Sequence, residues 1–169
     1  MAKHSALFAL GLTAAVMAAS GMAQTSLAAD IVHTQSDASP IAKMVTVPAG
    51  ATTYYLSGMV APVSNPAAPK DSIEAYGDTK TQTVGALTEI QKALAEQKLT
   101  MGDVVAMHVF LAGDPAKGGK MDFAGMMEGY KQFFGTKEQP NKPARSTVQV
   151  AALVGPAYLV EIEVIAARQ

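Results

Sequence analysis

The sequence predicts an α+β fold: a single mixed sheet in the order β-β-α-β-α-β-β, with two helices on one face. Three observations carry that expectation. Two segments, 79–98 and 120–135, space their apolar residues at helical intervals. Three short segments rich in β-branched and aromatic residues, 43–50, 52–63 and 103–113, read as strands. The C-terminal stretch KPARSTVQVAALVGPAYLVEIEVIAAR alternates in character on both sides of Gly155-Pro156, as a β-hairpin does.

The elements follow in order. KMVTVPAG and TTYYLSGMVAPV are two strands joined by the turn at Pro48–Gly50, and the polar run 30–40 before them reads as loose. SNPAAPKDSIEAYGD is a loop, long enough to suggest a functional role. In TKTQTVGALTEIQKALAEQK, Val84, Leu87, Ile90 and Leu94 form one apolar face, with Asp78 or Thr79 as N-cap. DVVAMHVFLAG is an apolar strand. KMDFAGMMEGYKQFFG repeats the helical spacing through Phe123, Met126 or Met127, Tyr130 and Phe133, with Asp122 as N-cap and Gly135 as the stop.

The chain opens as a secretory leader does. Lys3 and His4 precede an apolar run from Ala6 to Ala19, and Gly21 and Ala23 stand at the −3 and −1 places of a cleavage site. The expected boundaries are a leader over 1–23 (alternatively 1–28), a flexible segment over 24–39 and one domain over 40–169. The apolar run is shorter than the roughly 20 residues that cross a bilayer. The expectation is a periplasmic or secreted protein, with no membrane partner once the leader is removed. About 140–146 residues then remain, enough for one core. Cysteine is absent, so packing alone holds the domain. The formal net charge of −1, without a basic cluster, argues against nucleic acid as a partner.

Strand alternation assigns faces to the C-terminal hairpin. Ser146, Val148 and Val150 share one face of the first strand; Arg145, Thr147 and Gln149 share the other. In the second strand Val160, Ile162 and Val164 oppose Leu159, Glu161, Glu163 and Ile165. The expectation is that the apolar faces meet the helices and that Arg145, Glu161 and Glu163 are neighbours on the uncovered face. A face both charged and apolar suits an interface with other copies of the chain, holding a wet pocket.

ARSTVQVAAL followed by VEIEVIA resembles the terminal signature of the RidA/YjgF family of reactive-intermediate deaminases. LSG before MVAPV, then GDVVAMHVFL and YKQFF, agree with it, over roughly residues 40–169. The resemblance implies a chorismate-mutase-like fold assembled as a homotrimeric barrel, with sites in the clefts between subunits. It implies hydrolysis of small amino-acid-derived enamines and imines to 2-keto acids and ammonia. Arg145 matches the arginine that holds the substrate carboxylate, and Glu161 the glutamate that handles a water. Ser57 and Gly58 match groups lining the pocket. Three pocket positions depart from the usual pattern. Ile41 stands where a tyrosine is usual, Met127 where an asparagine is usual, and Thr147 where a cysteine is frequent.

The residue types suit this chemistry. A guanidinium fork grips a carboxylate through two parallel hydrogen bonds. A carboxylate can pass a proton between water and an imine. An imine carbon is already electrophilic, so no cofactor is expected, and no metal-binding spacing occurs. A second reading is a non-catalytic carboxylate-binding or chaperone-like trimer; RNA cleavage, also linked to the family, ranks last for want of a basic groove. His108 is expected to pack or sit at an interface, and Glu163 to pair there. Met126 and Met127 are expected to line core or pocket. Tyr54 and Tyr55 point to opposite faces.

Overall fold

Residues 29–169 are described by the structure, a computed structural model; the expected leader lies outside them. A two-stranded ladder comes first, β1 (Val32–Thr34) against β2 (Met44–Thr46), antiparallel. Four strands then form the main sheet: β3 (Thr52–Val60), β4 (Val104–Leu111), β5 (Ala144–Gln149) and β6 (Val160–Arg168). Their order is β3-β6-β4-β5. The sheet is mixed because β5 runs parallel to β4 while the other pairs are antiparallel.

Three helices connect the strands: α1 (Ile73–Tyr76), α2 (Thr79–Glu96) and α3 (Phe123–Tyr130). Asp78 caps α2 by accepting from Thr81 N–H at 2.8 Å, and Asp122 caps α3 by accepting from Gly125 N–H at 3.1 Å. These caps satisfy amide donors that the first helical turn leaves free. Beyond Tyr130 the chain continues in turns to Gly135, whose φ of 70° lies in the left-handed region that glycine tolerates. At Gly129 the two helices approach so closely that a Cβ would sit 2.8 Å from the Cβ of Thr83.

One side of the sheet carries the core. Leu87, Ile90 and Leu94 of α2, with Met126 and Tyr130 of α3, cover Met107, Val109, Leu111, Val160, Ile162 and Val164. Val84, expected in that apolar face, is half-buried beside it. Gln82 is fully buried among them. Its amide donates to the carbonyls of Gly77 and Ala157 and accepts from Leu159 N–H, which fixes the chain as it enters β6.

Three expectations about strand pairing are corrected. The C-terminal segments are not a hairpin, because β4 lies between β5 and β6 and residues 150–159 form a connecting loop. Strand β2 pairs with β1 rather than with β3. The polar stretch before β2, read as loose, holds β1 and is pinned from outside. His33 Nδ1 lies 2.8 Å from the Lys142 carbonyl, and Gln35 bonds both Pro140 and Lys142. Lys142 is only 8% exposed. Its ammonium donates to the carbonyls of Ser36 and Ser39 at 3.0 and 2.9 Å.

Candidate functional site

The polar residues singled out by the sequence fall into two groups, one on each face of the sheet. On the face without helices, Glu161 stands opposite Phe110, Glu163 opposite His108, and Ile165 opposite Ala106. Tyr55 of β3 pairs with Ile165 and is 78% exposed, while Tyr54 packs toward the core, so the two tyrosines do diverge. His108 Nδ1 and Glu163 Oε1 are 2.8 Å apart.

Glu161 takes part in none of the ion pairs or side-chain hydrogen bonds among the described residues. Its carboxylate lies against the backbone of Gly58. A Cβ at that glycine would stand 2.1 Å from Glu161 Oε1, so the position admits no larger residue while the carboxylate stays where it is. The β3 irregularity between Leu56 and Met59 brings Ser57 and Gly58 to this spot. Gly58 and Glu161 therefore meet, with Ser57 next to Gly58 in the chain.

Arg145 does not join them. It pairs across the ladder with Met107, which is fully buried under the helices, so the arginine projects toward the helical layer. The expectation that Arg145, Glu161 and Glu163 share the open face is thus corrected: Arg145 lies on the opposite face, two strands away, on an edge strand. The misassignment came from treating polarity as a guide to the wet side. A guanidinium reaches out along apolar neighbours and stays usable at their margin. Ser146 and Val148 take the open face instead, and Val148 is left 47% exposed.

The surroundings of Arg145 are unusual. Its guanidinium carbon lies 4.3 Å from the centroid of the Tyr130 ring, a cation–π contact. One terminal nitrogen donates to Met127 Sδ at 3.1 Å, and the other faces Met126 Sδ at 3.9 Å. Thioether sulfur is a weak acceptor. No carboxylate among the described residues pairs with Arg145. Burial draws its pKa below the usual arginine value, with Tyr130 opposing that effect. Tyr130 is itself pushed up to about 12, by burial first and against the pull of Arg145. Two residues along β5, the buried hydroxyl of Thr147 has no hydrogen-bond partner among the described residues.

Two clefts flank this arginine. One, of about 410 Å³, runs between residues 39–43 and strands β4 and β5, and is lined by Ile41, Lys43, His108, Arg145 and Ser146 among others. The other, of about 390 Å³, is bounded by Pro40, Met127, Lys131, Phe134 and Lys142. The Tyr130 hydroxyl donates to the Pro40 carbonyl at 3.0 Å, and this holds Ile41 beside β5. Arg145, Thr147, Met127 and Ile41 thus form one candidate half-site. Ser57, Gly58 and Glu161 form another. Lys142, Tyr130 and Gln35, which brace the first half-site, were missed; the Lys142-Pro143 pair just before the arginine gives no pattern signal of a buried cation.

The chain is similar to known proteins over most of its length. A family model described as endoribonuclease L-PSP matches residues 34–168. A RutC family protein of Haemophilus influenzae is 32% identical over 139 residues, covering 82% of this chain and 97% of its own. Another, from Pyrococcus abyssi, is 28% identical and matched over its whole length. Among solved structures, Escherichia coli TdcF with bound serine is 32% identical, with a TM-score of 0.54 over 73% of this chain and 85% of its own. A Rid family protein of Yersinia pestis, of unknown function, shares the fold at a TM-score of 0.58 and 24% identity, over 76% and 87% of the two chains. With nearly all of the described residues matched, the chain belongs to the Rid family, the RidA/YjgF proteins, that this endoribonuclease L-PSP model describes.

Proposed function

We propose that the protein hydrolyses small imines or enamines derived from amino acids, giving a 2-keto acid and ammonia, in sites shared between copies of a homotrimer outside the cytoplasm. The observation that carries this reading is the half-buried guanidinium of Arg145, attended among the described residues only by two sulfurs and an aromatic ring. A cation kept from water without an anion is poorly satisfied. A ligand carboxylate would supply the missing partner through a two-pronged contact. The serine held by TdcF, which carries such a carboxylate, supports a ligand of this size in the present chain.

Within one copy Arg145 and Glu161 cannot meet on one substrate, since the sheet separates them. A second copy laid against the open face brings its own β5 edge toward Glu161. In that arrangement Arg145 of one copy fixes the carboxylate, and Glu161 of the next takes a proton from the attacking water. The water oxygen adds to the imine carbon as the C=N π bond opens onto nitrogen, which receives that proton. The remaining hydroxyl proton then passes to nitrogen as the carbinolamine collapses, the C–N bond breaking, to the keto C=O and ammonia. Thr147 Oγ1 and Ser57 offer further polar contacts, while Ile41 and Met127 present an apolar wall to the substrate side chain.

The test is direct. An amino-acid oxidase generates 2-iminopropionate, and its decay is followed with and without the protein. Faster decay that depends on Arg145 supports the enzyme. Binding of pyruvate without any acceleration would instead favour a carboxylate-binding module.

A further inference from the structure

Met127 is the one methionine that both bonds the Arg145 guanidinium within 3.1 Å and borders a cleft. It is 9% exposed, whereas its neighbour Met126, at 3.9 Å from the same arginine, is fully buried. These two sulfurs are the only hydrogen-bond acceptors that Arg145 reaches among the described residues. The sulfur of Met127 therefore decides how free the fork is. As a thioether it is a weak, displaceable acceptor. As a sulfoxide it would present a polar oxygen to the same N–H groups.

We infer that Met127 is an oxidation site through which peroxide turns off carboxylate binding at Arg145, reversibly. In the step, a lone pair of the Met127 sulfur attacks one oxygen of hydrogen peroxide. The S–O bond forms as the O–O bond breaks. Sulfur is oxidised by two electrons, and the departing hydroxide takes the proton of the sulfur-bound hydroxyl, leaving water and the neutral sulfoxide. The new oxygen accepts from the Arg145 guanidinium and occupies the place of a ligand carboxylate. Thiol-dependent methionine sulfoxide reductases, one for each sulfoxide epimer, restore the thioether. Met126 has no open side from which peroxide can approach, so the chemistry is selective. The inference rests on the carboxylate-binding reading of Arg145.

The experiment treats the intact protein with graded hydrogen peroxide and locates oxidised residues by peptide mass. Exposed Met44, at 54%, serves as the internal measure of dose, and Met44→Leu removes its contribution. Pyruvate affinity is titrated before and after oxidation, each variant being compared with its own unoxidised sample. Wild type and Met44→Leu should lose at least about tenfold in affinity as Met127 is oxidised, and recover with the reductases. Met127→Leu should show no oxidation-dependent loss. Met127→Gln, which places a carbonyl oxygen near the guanidinium without any oxidant, should be weak from the start.

A second readout does not depend on any ligand: the rate at which phenylglyoxal labels Arg145, which should fall severalfold once Met127 is a sulfoxide. If the reduced protein binds no keto acid yet this labelling slows on oxidation, Met127 oxidation does mask Arg145 but the carboxylate reading, and with it the switch on carboxylate binding, falls. If Arg145-dependent binding survives complete Met127 oxidation, the switch is wrong. It is equally wrong if Met127 stays reduced when Met44 is fully oxidised.

Discussion

The Arg145 guanidinium lies 4.3 Å from the centre of the Tyr130 ring, and the hydroxyl at the far end of that ring is tied to the Pro40 carbonyl. The ring is a rigid shelf. It carries a cation on its face and holds the segment bearing Ile41 with its hydroxyl. Position and charge are thus coupled through one buried side chain.

Removing the cation tests the ligand reading. Arg145→Ala should lower imine hydrolysis at least about tenfold, since a lost charge-assisted contact is worth roughly 1.5–3 kcal/mol and 1.4 kcal/mol is tenfold in rate. Arg145→Lys should recover little, because an ammonium lacks the planar fork. Rates are measured on variants of unchanged oligomer mass; full activity in Arg145→Ala would move the site elsewhere.

Gly58 provides a probe of Glu161 that leaves the carboxylate in place chemically. In Gly58→Ala the added methyl overlaps Glu161 Oε1, and the side chain, being flexible at its end, swings aside. The protein should fold with little loss of stability. Turnover should drop on the order of 10- to 100-fold, as expected for a misplaced catalytic group. Thermal melts and imine decay on the same sample separate the two effects. A variant that stays fast would show that the carboxylate position does not matter.

Tyr130 makes stability depend on alkaline pH. Burial raises its hydroxyl to about 12, against 10.0 in the free side chain. The folded chain therefore keeps it neutral where the unfolded chain already ionises. That contribution is whole below about pH 10, is lost as pH climbs toward 12, and amounts to at most about 2–3 kcal/mol. Denaturant melts of wild type and Tyr130→Phe from about pH 8 to about pH 11.5 should converge at the alkaline end. Parallel curves would contradict it.

Lys142 should matter for stability more than its charge suggests. Lys142→Met strips two carbonyls, those of Ser36 and Ser39, of their donor. A loss of about 2 kcal/mol or more is expected, the usual scale for polar groups left unpaired in a buried place. Hydrogen exchange should rise in residues 33–40 first. An unchanged melting temperature would mean the clasp is ornamental.

The division of the site between faces predicts complementation. Light scattering should give about three times the monomer mass, and Arg145→Ala and Glu161→Gln should each be impaired. Unfolded together in equal amounts and refolded, they should regain about a quarter of wild-type activity, the share of sites that draw both intact residues from different copies of a closed ring. No regain at all would place both groups in one copy's site.

Much of this was legible before any coordinates. Periodicity located α2 and α3 and their aspartate caps, because an amphipathic helix on a sheet needs a regular apolar face. Alternation put Glu161 and Glu163 together correctly, since strand β6 is buried on one side only. It failed for β5. Strands adjacent in sequence read as adjacent in space, yet a loop of ten residues separates β5 from β6 and β4 lies between them. Nothing local distinguishes a parallel edge strand from a hairpin arm. The expected face for the arginine is wrong because its apolar stem packs under the helices while the guanidinium reaches an aromatic ring and two thioethers at their margin. Residues 32–34 escaped notice since a strand of three polar-flanked residues has no period to read; its partner and the distant Lys142 define it.

Residues 33–42 also run along the start of β5 and close it with a parallel bridge between Ala42 and Ala144, where Ala42 N–H donates to the Pro143 carbonyl at 3.0 Å. An uncovered edge strand is a template for adding further strands. Here the entrance to that template is already occupied by the chain itself, under the lock of a buried ammonium. Edge-to-edge pairing, which grows without end, is thereby blocked at this strand. A chain trimmed of this strap would therefore be expected to fail first as a colloid, by fibrous or amorphous growth, before any question of turnover arose.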